Sequence, residues 1–340
     1  MPTTRVLAAL ATSTLLTVTS GCAAFSDDAA GATEAGGDLR VVASFYPLQY
    51  VAQQVAGERA DVASLTQPGG EPHDLELAPR QTAEIAEADL LVYESGFQPA
   101  VDDSVEQNAT GETLDATEVV DLRPLEDDHA EDEHTEDEHT GEEHAHEDEH
   151  AEEEHADEGH AEDDHDHGDV DPHFWQDPAR MADLGDAVAE RLADVDPDHA
   201  DEYAANAADL RAELEELDAA YAETLASCER DTVVVSHDAF GYLDKYGLEL
   251  EAINGLSPGA EPTPSDLARL QDLIEDEGIT TVFSERLVSA RLAESLASDA
   301  GVETAVLDPI EGLSDETADE DYVSLMRANL EALAQANGCR

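Results

Sequence analysis

The chain of 340 residues carries 84 Asp and Glu against 15 Lys and Arg, a formal net charge of −69. That excludes nucleic-acid binding by phosphate neutralisation and argues against docking on an anionic membrane surface. At 41% hydrophobic the chain can still bury a core, its length suits about two domains, and no run reaches the roughly 18 apolar residues of a membrane span. Residues 126–171 hold 25 of the acidic residues and no Lys or Arg. The rest of the chain is acidic too, with Lys245 its only lysine. Such a surface favours solubility at the cost of self-repulsion and says little about partners.

The N-terminus reads as a targeting segment. Arg5 precedes a mostly apolar stretch, Val6 to Val18, and then Thr19-Ser20-Gly21-Cys22. A charged start, a short apolar core and a small-residue junction imply a secretory signal over 1–21. The junction resembles a bacterial lipobox, which would make Cys22 a lipid-anchored mature N-terminus; Thr19 departs from the Leu that pattern prefers. Residues 22–38, mostly Ala, Gly, Asp and Ser, read as a flexible tether. In an exported chain Cys228 and Cys339 are candidates for a disulfide, for which sequence supplies no geometry.

Elements then follow in alternation. Strands are expected at Val41–Phe45, Val62–Thr66 and Leu90–Tyr93, with helices at Leu48–Ala56 and over 80–88. Strands alternating with helices imply a parallel α/β sheet. Residues 126–169 form a low-complexity insert in this first lobe. His129, His134, His139 and His144 recur every five residues, as do His150, His155, His160 and His165. Five residues advance an α-helix by about 140° beyond a turn, so these histidines share no face. With nothing to bury, the insert reads as solvated and disordered.

Asp196-Pro197 is a good N-cap and first helical residue. Tyr203, Ala207, Leu210, Leu214, Leu217, Tyr221 and Leu225 then keep three-to-four spacing, predicting one helix over 196–226 that spans roughly 45 Å. The chain thus divides into a first α/β lobe over 39–195, a rigid backbone helix, and a second α/β lobe over 227–340. In the second lobe strands are expected at Thr232–Val235, Leu248–Ala252, Thr280–Phe283 and Glu303–Leu307. Helices lie between them, including Ser265–Glu277 and Asp321–Ala336.

Four histidines lie outside the insert: His73, His173, His199 and His237. His237 follows one predicted strand, Asp308 follows another, and His73 sits in a Gly-rich loop after a third. Open parallel sheets bind ligands beyond the carboxyl ends of their strands. His173 lies between the insert and a helix. Three imidazoles and one carboxylate, His73, His173, His237 and Asp308, make a borderline-soft set suited to zinc. With all four positions filled by protein, such a site holds metal and leaves no place for a reactive water. His199, in the first turn of the long helix, reads as a solvated histidine.

Several ordered motifs carry a family resemblance. Ser44-Phe45-Tyr46-Pro47, Pro68-Gly69-Gly70-Glu71-Pro72-His73-Asp74 and Asp171-Pro172-His173-Phe174-Trp175-Gln176-Asp177-Pro178 come first. Ser236-His237-Asp238-Ala239-Phe240, Gly255-Leu256-Ser257-Pro258 and Leu307-Asp308-Pro309 follow. Together they resemble the metal-binding solute-binding lipoproteins of ABC importers over about 39–338, the insert apart. The resemblance implies two lobes joined by a backbone helix, with the metal between them. His73 and His173 would be ligands from the first lobe, His237 and Asp308 from the second. Manganese-type members look similar but carry Glu at the third position, so His237 favours zinc. Some zinc members use a different fourth ligand, and Glu71 is a minor candidate. Glu285, just after a strand, is placed to orient a ligand imidazole; Phe174 and Trp175 would pack beside the site. A His- and acid-rich loop is common in zinc-type members and suggests a metal antenna, with a dispensable acidic spacer as the alternative.

Two catalytic patterns fail on chemistry. His146-Glu147-Asp148-Glu149-His150 matches a zinc-protease motif, but composition alone produces it in this tract, and the motif needs an ordered helix. Gly255-Leu256-Ser257-Pro258-Gly259 matches a nucleophile elbow, yet Pro258 has no N–H to donate to an oxyanion. The expectation is therefore no enzyme. It is an exported, membrane-anchored zinc-binding protein, monomeric, at the cell surface or in the periplasm. It would deliver transported Zn²⁺ to an ABC permease and its ATPase. The alternatives are a Mn²⁺- or Fe²⁺-binding member of the same family, and a surface adhesin or metal buffer with no transport role.

Overall fold

The first sheet is built from short, largely apolar strands. In β1 (Leu39–Ala43) the residues Val41, Val42 and Ala43 are fully buried, and β3 (Leu90–Tyr93) buries Leu90, Leu91 and Val92. Strands buried on both faces read as continuous apolar runs, as parallel strands covered by helices must. The computed structural model describes residues 39–125 and 170–340. The signal, the tether with Cys22, and the 126–169 insert lie outside the described residues.

With β2 (Ala60–Ser64) and β4 (Glu112–Asp115), these strands form a parallel sheet in the order β2-β1-β3-β4. Helices α1 (Tyr46–Ala56), α2 (Pro79–Glu87) and α3 (Pro99–Asn108) connect them, the last with β4 beyond the elements read from sequence. A two-stranded antiparallel hairpin, β5 (Arg123–Pro124) with β6 (Val170–Asp171), brackets the 126–169 segment.

The second sheet repeats the winding. β7 (Thr232–Val235), β8 (Glu249–Ala252), β9 (Thr281–Ser284) and β10 (Glu303–Val306) are parallel in the order β10-β9-β7-β8. Read from the other edge, this is the order of the first sheet. Three of these strands start or end one residue from the expected bounds. Helix α6 (Pro264–Asp276) starts at a Thr263–Asp266 capping box, and α7 (Arg291–Ala300) and α8 (Tyr322–Asn337) complete the lobe.

Two helices run between the sheets. Helix α4 (Pro178–Val195) is capped by Asp177, whose carboxylate accepts from the Ala179 N–H. The long helix α5 covers Ala200–Leu225, about 39 Å at 1.5 Å per residue. It begins at Ala200 because Pro197–His199 forms a separate 3-10 turn. All seven residues of the expected apolar stripe are buried in it. One apolar cluster continues through both lobes, from Val41 and Trp175 through Leu214 and Tyr221 to Phe283 and Leu333. Two smaller clusters sit on the outer faces of the sheets. A Cys228–Cys339 disulfide ties the loop after α5 to the end of the chain after α8.

Candidate metal site

The carboxyl ends of the two sheets supply the site. His73 lies in the loop between β2 and α2, His173 just after β6, His237 just after β7, and Glu311 in the loop after β10. All four are buried. The Nε2 atoms of His73, His173 and His237 converge on a single oxygen, Glu311 Oε1, at 3.3, 3.6 and 3.4 Å. The imidazole centroids lie 5.4–5.8 Å apart. One donor atom from each residue falls within 4.8 Å of all the others.

Each element holds its side chain by contacts on the far side. Asp171 Oδ1 accepts from His173 Nδ1 at 2.8 Å and from the His173 backbone N–H at 3.0 Å. Glu285 Oε1 stands 2.7 Å from His237 Nδ1, the place its sequence position suggested. A carboxylate at Nδ1 fixes the proton there and turns the Nε2 lone pair toward the site. The His173 and His237 Nε2 atoms are buried and face Glu311 Oε1 without a well-directed hydrogen bond. An arriving cation would satisfy them, since buried polar atoms left unpaired are costly. Glu71 accepts from the His73 and Asp74 backbone N–H groups, at 3.0 and 3.2 Å, and so shapes the His73 loop. Aromatic rings wall the site: Phe97 stands edge-on to His73, its centroid 4.6 Å away, and Trp175 lies 5.3 Å from His173.

The structure brings His73, His173 and His237 together, and Glu311 stands with them where Asp308 was expected. Asp308 is engaged elsewhere. Its Oδ1 accepts from the Ile310 N–H at 2.8 Å, and its Oδ2 pairs with Arg286 Nε at 3.0 Å. Asn329 holds its backbone on both sides. Ile310, fully buried, has φ 60°, a conformation that β-branched residues rarely adopt and that costs about 1–3 kcal/mol. This left-handed residue reverses the chain after Asp308 and presents Glu311 to the imidazoles. Pro309 is pinned from the first lobe, its carbonyl accepting from Trp175 Nε1 at 2.8 Å and Gln176 Nε2 at 2.5 Å. Two carboxylates three residues apart after one strand were the available signal for Glu311. His199 is remote from the site and pairs with Asp196.

Without an ion, His237 and Glu311 titrate far from their ordinary ranges. Burial alone would depress the His237 imidazole, but the Glu285 and Glu311 carboxylates outweigh it and push its pKa up to about 10. Burial would likewise raise Glu311, yet the imidazoles of His73 and His237 hold it well below the usual carboxylate range. Asp308, by contrast, is lifted by its burial, against the Ile310 amide and Arg286, which lower it.

Comparison with known proteins places the chain in a family. Residues 41–336 match the family model described as zinc-uptake complex component A, periplasmic. The chain is 35% identical over 331 residues to the zinc-binding lipoprotein AdcA of Streptococcus pneumoniae, covering 94% of this chain and 60% of that protein. It is 33% identical over 312 residues to the high-affinity zinc uptake system protein ZnuA of Bacillus subtilis, covering 89% of each. Among solved structures, the Zn(II)-bound ZnuA-like domain of S. pneumoniae AdcA superposes with a TM-score of 0.68 at 32% identity, over 88% of this chain and 99% of that domain. The chain therefore spans about 60% of the pneumococcal relative and nearly the whole of its ZnuA-like domain. By its sequence, its two matched sheets and its buried His-rich site, the chain belongs to the zinc-uptake complex component A family.

Proposed function

We propose that this chain is the extracytoplasmic binding component of a zinc importer. It captures Zn²⁺ on His73, His173, His237 and Glu311 between the two lobes and hands it to a membrane permease driven by a separate ATPase. The observation that carries the reading is the convergence of three buried Nε2 atoms on one carboxylate oxygen. Three imidazoles and one carboxylate suit tetrahedral zinc, with bond lengths of about 2.0–2.2 Å. The protein fills all four positions, so the ion is held as cargo. An imidazole from His237 in place of a harder carboxylate favours Zn²⁺ over Mn²⁺.

The relatives' names support zinc as the cargo, and the name of the pneumococcal relative supports anchoring through Cys22. No helix among the described residues is long and apolar enough to cross a membrane. We take the mature protein to act as a monomer. The test is zinc stoichiometry and competition affinity on the mature protein. One tightly held zinc, lost on His237→Ala, is expected; absence of tight zinc in the parent protein would contradict the reading.

A further inference from the structure

The hairpin that carries His173 is fastened to the other lobe by contacts that metal ligation alone does not require. The Arg123 backbone N–H of β5 donates to Tyr242 Oη at 2.8 Å, and that hydroxyl donates to the Asp171 carbonyl of β6 at 2.7 Å. One second-lobe side chain thus ties both strands of the hairpin. The Arg123 guanidinium reaches across in turn: its Nη2 lies 3.3 Å from Asp244 Oδ2, and its Nη1 lies 3.9 Å from Asp171 Oδ2. Gly241 makes the approach feasible. A Cβ there would collide with Arg123 Nη1 and come within 2.7 Å of Asp171 Oδ2. Arg180 of α4 lies over the Tyr242 ring, 5.1 Å from its centroid.

Asp171 is where this cluster meets the site, because the same side chain holds His173 at both Nδ1 and its backbone N–H. We propose that Arg123, Tyr242 and Gly241 form a cross-lobe brace that positions His173 through Asp171 and so sets how slowly the site gives up its ion. The proposal rests on the reading of His73, His173, His237 and Glu311 as the metal site. Elsewhere the lobes meet through a shared apolar core and through polar contacts such as Trp175 and Gln176 to the Pro309 carbonyl and Lys245 to Asp177, and a large hydrophobic interface resists domain motion. Within the brace the Tyr242–Asp171 hydrogen bond is buried, while the Arg123–Asp244 pair is partly exposed and is the part that opens most readily. When it parts, Asp171 loses its anchor and the His173 imidazole loses its fixed direction. Arg123, Tyr242 and Gly241 are positioning residues; none lies in the ligand cluster.

The test is the rate of Zn²⁺ release into excess EDTA, by stopped flow, beside thermal unfolding of the metal-free protein. The variants are Tyr242→Phe, Arg123→Ala, Arg123→Lys and Gly241→Ala in the mature chain. Arg40→Ala, which breaks an exposed Arg40–Glu87 pair on the first lobe, serves as control. Loss of an outer partner of a metal-bound imidazole typically weakens binding by about 10–100-fold; Tyr242 and Arg123 act one step further out, through Asp171, so Tyr242→Phe and Arg123→Ala should quicken release by up to about 10-fold. Arg123→Lys should fall between these and the parent, because a lysine keeps the charge but cannot present two parallel donors. Gly241→Ala should quicken release by displacing Arg123 without removing any polar group. Arg40→Ala should release zinc at the parental rate. Variants that lower the melting temperature of the metal-free protein while releasing zinc at the parental rate would overturn the brace. Parent protein that holds no zinc would overturn both the brace and the site on which it stands.

Discussion

Zinc loading at mildly alkaline pH should expel a proton from His237, and the structure says over which window. In the metal-free protein the pKa of this imidazole is pushed up from 6.5 to about 10 by Glu285 and Glu311, against its burial. Between these values it carries a proton in the folded metal-free state, while zinc requires the bare Nε2. Binding across this window therefore releases one proton from this residue, and the apparent affinity should rise about tenfold per pH unit. The same shift bears on stability. A raised folded-state pKa contributes stability that is fully present below about pH 6.5 and is lost as pH climbs toward 10. At 1.36 kcal/mol per unit the full contribution is on the order of a few kcal/mol. Calorimetric titration with zinc at pH 8, in two buffers of different ionisation enthalpy, counts the protons. A release of about one proton is expected, diminished in Glu285→Gln, with the metal-free protein unfolding more easily at pH 9 than at pH 7. Zinc binding at pH 8 without proton release would refute this account of the site's electrostatics.

Two further outcomes follow from other contacts. Glu285→Gln, which weakens the 2.7 Å contact at His237 Nδ1, should reduce zinc affinity by about 10–100-fold in a competition titration while leaving the fold intact. Replacing Cys228 and Cys339 by Ser removes a crosslink between positions 111 residues apart; denaturant unfolding should show a loss of roughly 4–5 kcal/mol by the chain-entropy argument, with zinc affinity unchanged.

The three histidines were legible because each lies beside a local pattern that sequence displays. His237 directly follows an apolar strand, His73 sits in a Gly- and Pro-rich loop after another, and His173 precedes the Asp177-Pro178 helix start. The long helix was legible from its stripe of Tyr203 to Leu225, although Pro197–His199 winds into a 3-10 turn before it. The choice between Asp308 and Glu311 was not legible. It depends on Ile310 taking a left-handed conformation that no propensity favours, held by Asp308 below it and by Trp175 and Gln176 from the other lobe. Trp175 and Gln176 are more than 130 residues away in the chain, so the turn is a tertiary product. Strand β4 escaped for a related reason: Glu112-Thr113-Leu114-Asp115 is short and polar at its ends, and it pairs only because β3 offers an edge.

The assignment of Glu311 as the fourth ligand carries the whole site. It is tested most directly by comparing Glu311→Gln with Asp308→Asn in mature protein lacking residues 126–169, which removes the His-rich insert. Asp308→Asn keeps an acceptor for the Ile310 N–H and should retain one tightly bound zinc. Glu311→Gln removes the carboxylate on which the three Nε2 atoms converge and should weaken zinc binding by more than about 100-fold, beyond what loss of an outer partner costs. Retention of tight zinc by Glu311→Gln, with loss in Asp308→Asn, would contradict the account.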